Sequence, residues 1–202
     1  MKLYYTPGAC SLSPHIVIRE LGLDVALEKA DIRAKKTESG GDFFAVTPKG
    51  QVPTLVLDDG QILTEGPVIV QYLADKKPEA GLLPAAGTME RVRVQEWLNH
   101  ITSEIHKSYS PLFRPDTPEE YKTTARTNLG NKYRLIDAQL KGKSYLTGER
   151  FTVADAYLFT VTNWAAHVGL DLTGFPNLLA FQQRVAARPH VQEALKAEGL
   201  AK

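Results

Sequence analysis

The sequence predicts a small α/β unit followed by an all-helical unit, on three observations. Over residues 1–78, short strand-like runs alternate with runs of helical period. The stretch Lys76-Lys-Pro-Glu-Ala-Gly-Leu-Leu-Pro-Ala-Ala-Gly87 holds chain breakers and no periodic run, as a linker does. Beyond it, residues 88–202 show helical patterning and no convincing strand. The expected domains are therefore 1–78 and 88–202.

The first unit opens on Leu3, Tyr4 and Tyr5, which have strand character, and Pro7-Gly8 breaks that strand. Ser13-Pro14 pairs an N-cap with a first-turn proline, so a helix is expected from there to Gly22, which ends it as a C′ residue. Val25 to Ile32 forms a second strand, and Ala34 to Gly41 a polar loop. Asp42 to Val46 has room only for a short helix. Thr54-Leu-Val-Leu is the next strand, and Asp58-Asp59-Gly60 turns it into Ile62-Leu63. Glu65-Gly66-Pro67 then opens a helix reaching about Lys77, with Val68, Ile69, Tyr72 and Leu73 as its apolar face. This order of elements fits a thioredoxin-like unit. In the second unit, helices are expected over 88–109, 117–141, 152–168, 175–188 and 189–196.

A chain of 202 residues with 43% apolar and 23% charged residues is long enough for two small cores. Its net charge of +1 gives no reason to expect nucleic acid. One cysteine excludes an intrachain disulfide framework and fits a reducing compartment. The chain enters a strand directly, and no run approaches the length of a bilayer-spanning helix. A soluble, cytoplasmic protein without membrane partners is expected.

That cysteine, Cys10, stands at a strand-to-helix turn, where open backbone N–H groups and the helix dipole favour negative charge. An accessible, acidic thiol is expected. Thioredoxin-like proteins carry their nucleophile at such a turn, usually with a second cysteine three residues on; here that place holds Ser13. Redox or conjugation chemistry at Cys10 therefore needs an external small thiol.

Three further places in the first unit suit a ligand. Gln51-Val52-Pro53-Thr54 puts a proline at a strand start, where a cis bond leaves the Val52 backbone open to a peptide-like ligand pairing as an added strand. Glu65-Gly66-Pro67 sets a carboxylate beside helix-start amides, which together suit an amino-acid head group. Lys35 and Lys36 suit a second carboxylate. A ligand with a thiol, a peptide-like middle, an α-amino-acid end and another carboxylate is glutathione.

The residues Tyr5-Thr6-Pro7-Gly8-Ala9-Cys10-Ser11, Val52-Pro53, Glu65 with its helix, and Gly148-Glu-Arg-Phe-Thr152-Val-Ala-Asp155 resemble those of cytosolic glutathione transferases, most closely the bacterial beta class. Thr152 and Asp155 take the N-cap and N3 places of a capping box whose role in that family is structural. The resemblance spans essentially the whole chain. It implies transfer of the glutathione thiol to electrophilic, mostly apolar small molecules, a detoxifying activity with glutathione as co-substrate. One departure is Gly66, where the wider family commonly has serine; losing that hydroxyl typically costs about 0.5–1.5 kcal/mol.

In the second unit, Val94, Trp97, Leu98, Ile101 and Ile105 form a core stripe, whereas Asn99, Ser103 and His106 lie on a polar face. The resemblance implies that His106 reaches the thiol of Cys10 or of bound glutathione, to stabilise a thiolate or accept a proton. It also implies that Asn99 contacts glutathione on the other subunit of a homodimer. Tyr109, Phe113 and Trp164 are the candidates for the electrophile pocket. No metal is expected: the five histidines show no HExxH spacing. The rival functions are a glutathione-dependent thiol-disulfide or peroxide reductase using Cys10, and a non-catalytic ligand-binding module.

Overall fold

A computed structural model describes residues 1–201. The chain divides into two compact units, one of Met1–Leu83 together with the chain from Ala187 onward, the other Pro84–Ala186. This differs from the expected boundaries, because the last helix belongs to the first unit. Its start is tied there by Arg188, whose Nε and Nη2 donate to the two carboxylate oxygens of Glu20 at 2.7 and 2.8 Å.

The first unit holds strands β1 (Lys2–Tyr5), β2 (Ala26–Asp31), β3 (Lys36–Thr37), β4 (Thr54–Val56) and β5 (Ile62–Thr64), in the order β3-β2-β1-β4-β5. β1 runs parallel to β2 and antiparallel to β4, so the connection from β1 to β2 must cross over, and helix α1 (Leu12–Leu21) makes that crossing. Helix α2 (Phe43–Val46) is capped by Asp42, which accepts the Phe44 N–H, and α3 is Gly66–Ala74. Leu3, Leu55, Ile16, Val17, Ile69 and Leu73 are completely buried, so the sheet and its helices share one apolar layer. This is the thioredoxin-like arrangement the element order predicts.

Helix α1 starts two residues before the expected place. Its N-cap is Ser11, which makes no side-chain cap bond, while the Ser13 hydroxyl is buried without a partner. Gly22 does end it, at φ 56, with its N–H bonded to the last-turn carbonyls. Helix α9 (Pro189–Ala197) packs on α1.

The second unit contains only helices: α4 (Met89–His100), α5 (Lys107–Phe113), α6 (Glu119–Leu140), α7 (Val153–Thr162) and α8 (Pro176–Ala186). The single helix expected over 88–109 is interrupted by a π segment at Ile101–His106 before continuing as α5. Val94, Leu98, Ile101 and Ile105 are buried as their spacing predicts. Asp155 completes the capping box of α7: it accepts the Thr152 N–H at 2.8 Å, the Thr152 hydroxyl at 2.9 Å and the Leu146 N–H at 2.9 Å.

Candidate active site

The thiol turn of the first unit is closed from within by Ser11. The Thr6 N–H donates to Ser11 Oγ at 3.1 Å, and that hydroxyl donates back to the Thr6 carbonyl at 3.2 Å. From outside, the Glu198 carboxylate accepts the Gly8 N–H and bonds His15 Nδ1, both at 2.8 Å. No local pattern marks Glu198, which is 183 residues from His15.

Cys10 Sγ donates to the Val52 carbonyl at 3.1 Å. The expected acidic thiol is corrected here. The backbone amides of Cys10 and Ser11 do lower the thiol, as a helix start should, but burial outweighs them and pushes it up to about 12. The residue keeps part of its surface in water, yet the sulfur itself is desolvated. Cys10 is therefore a neutral hydrogen-bond donor at neutral pH, not a ready thiolate.

The Val52-Pro53 bond is cis. The Val52 N–H, outside every strand, has no hydrogen-bond partner among the described residues, so this donor is open. Glu65 precedes α3 with φ 69 and ψ 107, a conformation that a residue with a side chain rarely adopts and that is stored mainly at functional sites. Gly66 is buried behind it, 3.5 Å from Pro53 Cγ when measured from the place a Cβ would take, so the Val52 and Glu65 segments are neighbours. The Glu65 carboxylate accepts Lys49 Nζ at 2.6 Å, a partner the sequence pattern did not show.

Lys35 also has a left-handed backbone, φ 56. Its ammonium donates to the Gly50 carbonyl at 2.8 Å and lies over the Phe44 ring at 5.4 Å, which places it at the turn leading into Val52. Lys36 lies in β3 at the sheet edge, exposed. Cys10, Val52, Glu65, Gly66 and Lys35 thus belong to one unit and converge on the β4 entry.

The remaining candidates lie in the second unit. His106 ends the π segment, with Nδ1 2.6 Å from the Tyr157 hydroxyl and its ring edge-on to Trp164 at 4.9 Å. Phe113 is half-exposed and meets the Trp164 ring at 5.6 Å. Tyr109 is completely buried, and its hydroxyl is bonded to Tyr133 at 2.9 Å; it backs this aromatic cluster and does not line a surface. Asn99 is exposed on α4, its carbonyl accepting the Ser103 hydroxyl at 3.1 Å. Among the described residues, no group of three or more His, Cys, Asp or Glu side chains is placed to hold a metal ion.

A thioredoxin-like unit with a lone thiol at its first turn, followed by an all-helical unit, defines a two-domain protein. Residues 8–76 match the glutathione S-transferase N-terminal domain and residues 100–189 the glutathione S-transferase C-terminal domain. The chain is 54% identical to glutathione S-transferase GstA of Escherichia coli O157:H7, over 99% of this chain and 100% of that protein. It is 38% identical to glutathione S-transferase GST-4.5 of Xanthomonas campestris, over 99% and 100%. Among solved structures, a bacterial beta-class enzyme of Sphingomonas chungbukensis superposes with a TM-score of 0.96 at 48% identity, covering 100% of both chains. A sphingomonad glutathione S-transferase complexed with glutathione does so at 0.96 and 46%, again over 100% of both. The chain belongs to the glutathione S-transferase family, and its similarities place it with the bacterial beta class.

Proposed function

We propose that this glutathione S-transferase binds glutathione along Val52, with Glu65 on the ligand ammonium, the Gly66 N–H and Lys35 on its carboxylates, and Cys10 beside its sulfur. The observation that carries this is the Cys10 Sγ to Val52 carbonyl contact of 3.1 Å next to an open Val52 N–H. A thiol beside a residue whose backbone N–H is open suits a cysteine-containing tripeptide better than any free amino acid. The strained Glu65 backbone supports a head-group site at the start of α3.

In this reading the glutathione sulfur, not Cys10, is the nucleophile. It gives up its proton, forms the new bond to an electrophilic carbon, and the leaving group departs with the old bonding pair. Cys10 and His106 steady the developing sulfur anion, and Phe113 and Trp164, backed by Tyr109, hold the apolar electrophile. The raised Cys10 thiol favours conjugation over a reductase in which Cys10 itself attacks a disulfide. The working form is a cytoplasmic homodimer, with Asn99 of each chain serving the glutathione of the other.

Retention on immobilised glutathione, followed by turnover assays with a chloronitrobenzene and with a glutathione mixed disulfide, tests this function. Conjugation faster than disulfide reduction is expected. Binding with neither turnover would mean a ligand-binding module.

A further inference from the structure

Phe43 and Phe44 are neighbours in α2 and go opposite ways. Phe43 is completely buried, in one apolar cluster with Tyr4, Ala30 and Val52, so it accounts for the packing of this segment. Phe44 is 49% exposed, and core packing does not explain its place. Its ring instead covers Gly50, two residues before Val52. A Cβ built on Gly50 would stand 2.6 Å from Phe44 Cε1, 3.1 Å from Cδ1 and 3.2 Å from Cζ, so the ring lies against the glycine, which is buried and left-handed at φ 54.

The third member of this group is Lys35. Its backbone carbonyl accepts the Phe43 N–H at 2.8 Å and its ammonium donates to the Gly50 carbonyl at 2.8 Å, so one residue ties both ends of the segment that carries Phe44. The ammonium also stands 5.4 Å from the centre of the Phe44 ring, within the range in which a ring face attracts a cation. Asp42 fixes the backbone under that ring by accepting the Phe44 N–H at 2.9 Å. An ammonium has three donors, and Gly50 takes one. Among the described residues, Lys35 and Glu65 are the two non-glycine residues with a left-handed backbone, a strain that gathers at ligand clamps.

We infer that Phe44 is a positioning residue whose ring seats the Lys35 ammonium beside the Gly50 turn and so sets the preference of the site for glutathione with a free glycyl carboxylate. This deepens the proposed function and rests on it for Lys35 as the partner of that carboxylate. A lysine carries its charge on a flexible four-carbon stem, and holding that stem in one place costs side-chain entropy. The ring and the Gly50 carbonyl remove that freedom before the ligand arrives, so the remaining donors meet a carboxylate without further ordering. An aromatic face is needed, because an aliphatic side chain would cover Gly50 without attracting the cation.

Calorimetry with glutathione and with its glycyl ethyl ester reads this preference, since the ester lacks that one charge. The wild-type protein should bind glutathione more tightly than the ester by about three- to tenfold. Phe44→Leu should cut that ratio by about two- to fivefold and leave kcat at saturating glutathione unchanged, whereas Phe44→Tyr should keep the ratio. An ester bound as tightly as glutathione by the wild type, or an undiminished ratio in Phe44→Leu, overturns the proposal. In a Lys35→Ala background, Phe44→Leu should change the glutathione Kd no further; an equal loss in both backgrounds would show a ring that acts without Lys35, which refutes the positioning role. The seating can also be read without any ligand. The Lys35 ε-methylene protons, assigned through a Lys35→Arg variant, should lie upfield of those of exposed lysines because of the ring beside them. Unshifted protons in the wild type refute the seating even if no Phe44 variant folds. If the wild type binds neither glutathione nor the ester, the proposed function fails, while those protons still judge the seating.

Discussion

Lys49 and Glu65 are bonded at 2.6 Å, and the same ammonium reaches the Thr64 hydroxyl at 2.9 Å, so the carboxylate proposed for the ligand head group already has a cation on it. Both side chains are about half exposed, at 49% and 60%, so the pair itself contributes only about 0.2–1 kcal/mol. Its effect on binding has a sign, however: a second cation at Glu65 repels the ligand ammonium. Lys49→Ala should tighten glutathione binding by a factor of about two to five. Glu65→Ala should weaken it by about 1–2 kcal/mol. Calorimetry measures both, and an unchanged Kd in Glu65→Ala would place the head group elsewhere.

Gly66 has room for a side chain. A Cβ there would lie 3.5 Å from Pro53 Cγ and 3.9 Å from its Cδ, ordinary contact distances. Gly66→Ser should therefore fold normally and add a hydroxyl beside the helix-start amides, tightening glutathione by about 0.5–1.5 kcal/mol. Weaker binding would show that the glycine is needed for close backbone approach.

The Cys10 thiol, pushed up to about 12, should react slowly with iodoacetamide at neutral pH, and its rate should keep climbing with pH beyond 9. A plateau near the ordinary thiol value of about 8.5 would contradict the burial argument. The same shift has a stability consequence. Between the ordinary 9.0 and about 12 the folded chain holds a proton the unfolded chain has lost, so stability falls as pH rises through that window. Cys10→Ser should lack that part of the alkaline slope in denaturant melts at successive pH values.

Asp155 is buried, and burial pushes its carboxyl up to about 6 against the pull of its three donors. Asp155→Ala removes the cap of α7 and strands those donors, at a cost of about 2–3 kcal/mol. Because the folded value lies above the ordinary 3.8, the wild-type advantage is largest at low pH and shrinks as pH rises through about 6. Urea denaturation of both proteins at about pH 4 and about pH 7 checks the sign.

The proposed shared-site dimer predicts complementation. Cys10→Ala chains mixed with Asn99→Ala chains, after subunit exchange, form heterodimers in which one site has both residues intact and the other has neither. Glutathione affinity should be partly rescued relative to the Asn99→Ala homodimer. If no heterodimer site binds better, Asn99 acts within its own chain or not at all.

What the sequence determined by itself was whatever local patterning controls. Period-two and period-3.6 runs with Gly22, Pro67 and the Thr152/Asp155 pair placed most elements and the division into α/β and helical parts. The types Cys10, Val52-Pro53 and Glu65 pointed to glutathione before any geometry, because each suits one fragment of that ligand. Tertiary structure decided the rest. Cys10 was expected to be acidic from its place before α1, but desolvation is set by what packs over the sulfur, and it reverses the sign. Glu198 grips the thiol turn from 190 residues beyond Gly8, and Lys49 meets Glu65 across a hairpin, contacts that no spacing rule encodes. Tyr109 continues the Ile101 and Ile105 stripe into the core instead of lining a surface, since burial follows the three-dimensional packing of α5 on α6.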